Sequence, residues 1–421
     1  MPRTACALPL FVHLRRLDRP AAFWSVAVLL VLMLAASGVP SPLYRVYQEE
    51  FGFSSGVLTT IFGIYALALL VSLLVVGGLS DHIGRRPVLV VAFLLEAVSM
   101  VLFLVSDGVG WLLAARIVQG LATGALTSTL GASVIDLQNR ERPLGAFINS
   151  ASPGLGLSLG AVGAGLLVQF VPSPTDWVFG VLTVVFVLAS VGTLLLLPET
   201  SARLPGAVSS LRPRVHVPPA NRPPFLGALP ILVACWAVGG LYASLGPSLL
   251  VDVFGIENHL AGGLLILALN GTGVLGSLAM GKAAPARSLA VGALVFAVGV
   301  AGTVAALFAE SVTALFVAAV VTGFGFGAAF LGAIATITAG VASGYRAGLL
   351  ASIFVVGYLA FSIPSIVAGV AIGSIGLQRT AEIYGLVVIV LALAAVTLLA
   401  LRRRQAEPAP ASVEDTEAFA A

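Results

Sequence analysis

Charge is scarce in this chain: Asp, Glu, Lys and Arg make up 9% of its 421 residues, while 59% are hydrophobic. A soluble globule of that length needs more polar surface, so a water-exposed fold is excluded. Cysteine is scarcer still. Cys6 precedes the first long apolar run and Cys235 lies inside the seventh, which leaves a disulfide framework nothing to join. The four histidines, His13, His82, His216 and His259, stand outside the apolar runs. A metal cluster, or a nucleophile with its base, is therefore not expected at membrane depth, and neither is an enzyme. No Walker-type glycine loop is present to cradle ATP, and no cofactor is expected.

What the chain has in abundance is apolar length. Mean hydropathy is +1.09, and runs of about 20 apolar residues, each able to cross about 30 Å of hydrocarbon, recur along it. The pattern predicts twelve spans: 22–44, 56–78, 87–106, 110–135, 144–170, 177–197, 226–251, 260–281, 288–309, 312–338, 347–374 and 380–401. Such runs are too long and too uniformly apolar for barrel strands, so an all-α membrane protein is expected. The first run follows Arg15, Arg16 and Arg19 and resembles a signal peptide, but eleven further spans make it a signal anchor.

Positive charge sets orientation, because Lys and Arg beside a span resist translocation. With both termini cytoplasmic, 18 of the 21 basic residues fall on that side; Arg45 and Arg379 fall outside and Arg116 within a span. The isoelectric point near 9.1 is thus a matter of topology, and nucleic acid is not an expected partner. The longest connection, 198–225, is proline-rich and carries Arg203, Arg212, Arg214 and Arg222. It divides an N-terminal half (1–197) from a C-terminal half (226–401), followed by a cytoplasmic tail (402–421). A constant shift of 203 relates the halves: Phe51-Gly52 to Phe254-Gly255, Gly120 and Gly124 to Gly323 and Gly327, Gly145 to Gly348, Gly154 to Gly357. Two pseudo-symmetric six-helix bundles follow, an architecture of transporters with the substrate site between the halves.

The stretch "GGLSDHIGRRP" at 77–87 falls in the cytoplasmic loop between spans 2 and 3. Asp81 sits at the negative end of a helix dipole and needs a positive partner. Arg85 and Arg86 come within reach if Gly84 turns the chain sharply, and Gly77 lets a neighbouring helix approach. The string G-x-L-x-D-x-x-G-R-R resembles the loop 2–3 signature of the major facilitator superfamily, and the twelve spans, two halves and central linker extend that resemblance over the whole chain. It implies that Asp81 and Arg85 belong to a cytoplasmic latch closing on the start of span 11, near Arg346, Ala347 and Gly348. Position 284, the repeat equivalent of Asp81, is alanine, so the latch is one-sided.

Span 4 carries "ARIVQGLATG", which places Arg116 about 10 Å below the outer surface. A cation that deep costs about 2.5–3.5 kcal/mol and needs a partner. Glu96 in span 3 is the acid at comparable depth, within side-chain reach of Arg116; the alternatives are a static ion pair between the two and a proton-coupling site in which movement of Arg116 changes the proton affinity of Glu96. R-x-x-Q-G-x-x-x-G, matched by Arg116, Gln119, Gly120 and Gly124, is similar to the superfamily's span 4 motif, whose arginine is associated with proton coupling. Span 5, with Pro153, Gly154, Gly156 and Gly160, resembles the antiporter motif of the drug:proton branch. It departs from that motif at Ala161 and Ala164.

Pro40 and Pro42 in span 1 resemble a pattern of that branch, and Pro247 occupies a similar place in span 7. Pro153 and Pro364 interrupt spans 5 and 11 in the same paired manner, and interrupted helices point to the binding region. Cavity candidates are Gln119, Thr123, Asn149, Trp236, Tyr242, Asn270, Phe324 and Tyr358, with Tyr65 beside them. Most are neutral, which suits neutral or weakly cationic amphipathic compounds. The expected protein is a monomeric secondary transporter in the cytoplasmic membrane, with proton-coupled efflux of small lipophilic compounds leading. Uptake or facilitated diffusion of a small metabolite, such as a sugar or organic acid, is the alternative.

Overall fold

The structure, a computed structural model, describes residues 16–406. Among the described residues twelve helices are long and apolar enough to span a bilayer, and there is no strand. They are α1 (Arg19–Phe51), α2 (Ser55–Val76), α3 (Arg85–Leu104), α4 (Val109–Leu137), α5 (Gly145–Phe170), α6 (Pro174–Leu196), α7 (Arg222–Asp252), α8 (His259–Met280), α9 (Pro285–Phe308), α10 (Val312–Thr338), α11 (Ser343–Ile375) and α12 (Leu377–Ala406). Residues 407–421 of the expected tail lie outside the described residues, as do Cys6 and His13. The observed bounds differ most from the expected ones for α1 and α12, because hydropathy registers only the part of a helix that lipid solvates.

Local chemistry starts and stops these helices. The side chains of Asp18, Ser54, Asn258 and Ser311 accept from backbone N–H groups in the first turns of α1, α2, α8 and α10, satisfying donors that a helix start leaves free. The far ends of α1 and α7 stop in the same way. Gly52 and Gly255 both adopt φ +67°, with N–H groups bonded to Gln48 O and Val251 O at 2.9 and 3.1 Å. Both cap and acceptor are related by the shift of 203.

Each half has its own core. Buried Phe93, Phe103, Phe179 and Phe186 dominate that of α1–α6, and Phe296, Ile231 and Leu289 belong to that of α7–α12. Outward faces stay apolar: Val91, Leu94 and Val98 on α3, Val184 and Leu188 on α6, and Val387 and Val390 on α12 are all exposed. Apolar surface on that scale belongs against lipid, and the protein is a multi-pass membrane protein.

Two helix pairs join the halves. In the first, α2 meets α11, with Phe62 and Phe361 rings 4.9 Å apart and the Gly63 Cβ position 2.7 Å from Ile366 Cδ1. In the second, α5 meets α8, where the Gly263 Cβ position lies 2.6 Å from Ala161 O. These seams run from the end opposite the linker to about mid-span. At that far end Arg45 bridges to Asp252 at 3.0 Å.

Candidate functional site

On α4, Arg116, Gln119 and Thr123 fall at i, i+3 and i+7, one stripe of the helix, and all three are fully buried. Arg116 donates through Nε to the Tyr44 hydroxyl at 2.7 Å, through Nη2 to the same oxygen, and through Nη1 to Gln119 Oε1 at 2.5 Å. Its guanidinium also lies over the rings of Tyr65 and Tyr44, 4.7 and 5.3 Å from their centroids. The guanidinium is thus partnered by π faces and neutral acceptors, with no carboxylate among them.

Proline explains part of this cage. Pro40 has no N–H, so the carbonyl four residues earlier, Ala36 O, lacks its helical donor. Gln119 Nε2 takes that carbonyl at 3.2 Å, which fixes the amide and turns its oxygen toward Arg116. Both acceptors of Arg116 thus depend on α1, one on each side of Pro40.

Glu96 is equally buried. It accepts from Thr123 Oγ1 at 2.6 Å and from Ser99 Oγ at 3.4 Å, and no Arg or Lys lies within ion-pair distance of it among the described residues. Of the two alternatives, a direct ion pair between Glu96 and Arg116 is not present among the described residues. Side chains lean toward the N-terminus of their own helix. Because α3 and α4 run antiparallel, Arg116 leans to the far end and Glu96 toward the linker end, whatever their depths.

The cavity candidates divide. Trp236 and Tyr358 pack edge to face, 4.8 Å between centroids. Trp236 also meets Phe330 and Phe361, and Phe361 meets Phe62, so an aromatic cluster runs from α7 through α11 to α2, with Tyr65 packed beside Phe361 and Tyr358. Tyr242 turns away instead, its hydroxyl 2.8 Å from Thr303 on α9. Asn149 donates to Gly131 O within the N-terminal half, and Asn270 donates to Ile266 O on its own helix. Phe324 sets its backbone against Gly276 of α8. Gly120 and Gly124 face α2, Gly156 and Gly160 face α1, and Gly154 faces Asn270 of α8. Pro153, Pro247 and Pro364 all lie inside helices, while Pro42 follows Pro40 in the far segment of α1.

At the linker end the charges of loop 2–3 form a network. Asp81 pairs with Arg85 at 2.7 Å, and Arg85 reaches Asp136 at 3.1 Å and Ser80 Oγ at 2.6 Å. Gly84 makes the turn with φ +109°. Arg86 donates through its side chain to Leu194 O. The Cβ position of Gly77 lies 3.8 Å from Ser128 Cβ of α4, so a side chain there would only touch that helix. Glu199, just past α6, accepts the backbone N–H groups of Arg85, Arg86, Thr200 and Ser201 at 2.8, 3.2, 3.0 and 3.0 Å. Partial burial pushes its carboxyl up, but the four donors outweigh burial and hold it below the usual carboxylate range.

The linker joins this network. Ser201 Oγ and Leu204 N both donate to Asp81 O, at 2.9 and 3.0 Å, and His82 Nδ1 lies 2.9 Å from Leu204 O. Further on, His216 N donates to Gly348 O at 3.2 Å. Asp81 and the start of α11 are thus each engaged by the linker, and no hydrogen bond or ion pair joins them among the described residues. Sequence reading missed Tyr44, Asp136 and Glu199. Lone acids at the linker-end margins of α4 and α6 were the available signal for two of them; Tyr44, beside Pro42 and Arg45, gave none.

A twelve-helix membrane bundle in two halves, with a buried arginine in α4 and a basic turn after α2, defines a class of membrane protein by its architecture. Residues 26–363 match the family model described as Major Facilitator Superfamily, and the chain belongs to that superfamily. The tetracycline resistance protein, class C, of Escherichia coli is 38% identical over 125 residues, 29% of this chain and 30% of that protein. Multidrug resistance protein MdtM of Salmonella typhimurium is 32% identical over 192 residues, 43% of this chain and 44% of that one. The chain spans under half the length of the curated relatives it matches. A bacterial homologue of the human lysosomal transporter Spinster, in an inward-facing and occupied conformation, shares the fold with a TM-score of 0.72 at 15% identity, over 93% of this chain and 99% of that one.

Proposed function

We propose that the protein is a secondary active transporter that rocks its halves, 1–197 and 226–401, around a central cavity and couples proton entry to efflux of small lipophilic or weakly cationic compounds. The observation that carries the coupling is a fully buried carboxyl, Glu96, with no cation beside it, while a fully buried cation, Arg116, stands caged nearby. Ionisable groups at this depth are costly, and membrane proteins keep them chiefly for function. The aromatic cluster of Trp236, Tyr358 and Phe361 offers an apolar substrate a lining without a formal charge. The names of the relatives, tetracycline and multidrug resistance, support efflux.

In this reading the linker end is cytoplasmic, as the basic residues favour, in the inner membrane of a bacterium, and the protein acts as a monomer. The far-end seams then correspond to an inward-facing state. Asp81 and Arg85 are an open latch that reaches Arg346–Gly348 of α11 when the cytoplasmic side closes. A potential of 100 mV supplies about 2.3 kcal/mol per proton, enough for roughly fifty-fold accumulation of a neutral compound. The test is flux of tetracycline and ethidium in proteoliposomes with an imposed pH gradient. Wild-type protein moves at least one probe faster with the gradient, and Glu96→Gln loses that dependence while keeping exchange without a gradient. Gradient-driven flux that persists in Glu96→Gln refutes the coupling role.

A further inference from the structure

We propose that Tyr44 is a positioning residue for the coupling proton: with Gln119 it holds the Arg116 guanidinium away from Glu96, and loss of that hold sends Arg116 to Glu96 and the proton to water. The inference rests on the reading of Glu96 as the proton carrier.

The hydroxyl of Tyr44 accepts two of the three hydrogen bonds that Arg116 makes to side chains, and Gln119 accepts the third. No acid lies within ion-pair distance of Arg116 among the described residues. The guanidinium is therefore kept toward the far end by neutral acceptors alone. A freed guanidinium in an apolar bundle moves to the strongest acceptor in reach, because a charge-assisted bond to a carboxylate is roughly twice as strong as one to a neutral oxygen. That acceptor is Glu96. Gln119 and Thr123 mark the route, one turn apart on the same face of α4, with Thr123 already bonded to Glu96.

The groups facing Glu96 are few. Thr123 and Ser99 bond it, the charge of Arg116 acts on it from α4, and the hydroxyl of Tyr65 on α2 lies where it feels a charge on Glu96. Of these, Arg116 alone carries a full opposite charge, so its position decides whether Glu96 is better as an acid or as a carboxylate. When the two meet, the Glu96 O–H bond breaks, the electron pair stays on the carboxylate, and the proton leaves to water at the linker end. Tyr65 ties this switch to cargo, since its ring lies under Arg116 and it belongs to a buried cluster against which Tyr358 and Phe361 of the aromatic cluster pack.

Infrared titration of purified protein in lipid nanodiscs tests this without knowledge of the cargo, since a protonated carboxyl has its own C=O band. Wild-type protein should show a titrating band that is absent from Glu96→Gln. In Tyr44→Phe, which keeps the ring and removes the hydroxyl, the proton affinity of that band should fall at least tenfold. An unchanged or higher affinity overturns the role of Tyr44, since a packing role would alter melting but not the pH profile. If no band is sensitive to Glu96→Gln, the proton-carrier reading fails instead. Should Tyr44→Phe not fold, Gln119→Met removes the other acceptor and carries the same expectation, with an unchanged affinity again the refuting result.

Discussion

Glu199 shows how a single side chain turns a costly burial into a fastener. An isolated carboxylate leaving water is penalised by several kcal/mol, yet four backbone N–H groups converge on this one. Two of them belong to Arg85 and Arg86 at the start of α3, where free donors and the helix dipole both favour an anion. The folded state therefore binds this proton more weakly than the unfolded chain does. A carboxyl held low in the fold contributes stability above its ordinary value of 4.5, and that contribution is lost as pH falls through its folded value. Glu199→Gln should cost about 1–2 kcal/mol at neutral pH, the scale of charge-assisted bonds discounted for partial exposure. Melting of both proteins in detergent should show the gap closing in acid; a gap of constant size contradicts this account.

At the scale of helices, close approach is set by where a side chain is missing. On α5 the Cβ position of Gly160 falls inside the backbone of Ala35 on α1, while that of Gly163, less than one turn away, meets nothing within 4 Å. Gly160→Ala should therefore lower the melting temperature, since overpacking against backbone costs about 1–3 kcal/mol. Gly163→Ala should raise it slightly, alanine being better than glycine in a helix by about 1 kcal/mol. Equal effects in the two variants would refute the packing of α1 on α5. The twelve helices were legible in the sequence because lipid demands about 20 apolar residues of each, a signal that needs no partner. Which way their side chains face was not, because helices apolar all round carry no amphipathic stripe to read. Tyr242 illustrates the loss: it read as a cavity residue and turns to Thr303 inside its own half. Whether Glu96 meets Arg116 was not legible for a related reason: sequence position gives depth at Cα and says nothing of the lean of each side chain. Tyr44 was invisible because its role comes from a helix 72 residues away along the chain.

Across the whole molecule, the question is what keeps one end closed while allowing it to open. At the far end an ion pair links the halves: Arg45 holds Asp252 of α7 at 3.0 Å and Glu49 of its own helix at 3.0 Å. Under the shift of 203, Glu49 and Asp252 occupy the same position in the two repeats. The arginine of one half is thus shared between an acid and that acid's counterpart, and separation of the halves leaves Arg45 still paired to Glu49. Both the bridging acid and the arginine reach solvent, with side chains 41% and 24% exposed, so the link is worth about 0.2–1 kcal/mol. A link of that size biases an equilibrium without locking it, at most about fivefold in population. Asp252→Asn should therefore raise the far-end-open fraction by up to that factor, and Glu49→Gln should lower it by freeing Arg45 for Asp252. Spin labels at Glu50→Cys and Glu257→Cys, both exposed on the far-end margins, read the two populations as separate distances. High salt should reduce the contrast between variants by screening. If both substitutions shift the populations in the same direction, Arg45 is not shared between the two acids, and the seams of α2 with α11 and α5 with α8 close that end unaided.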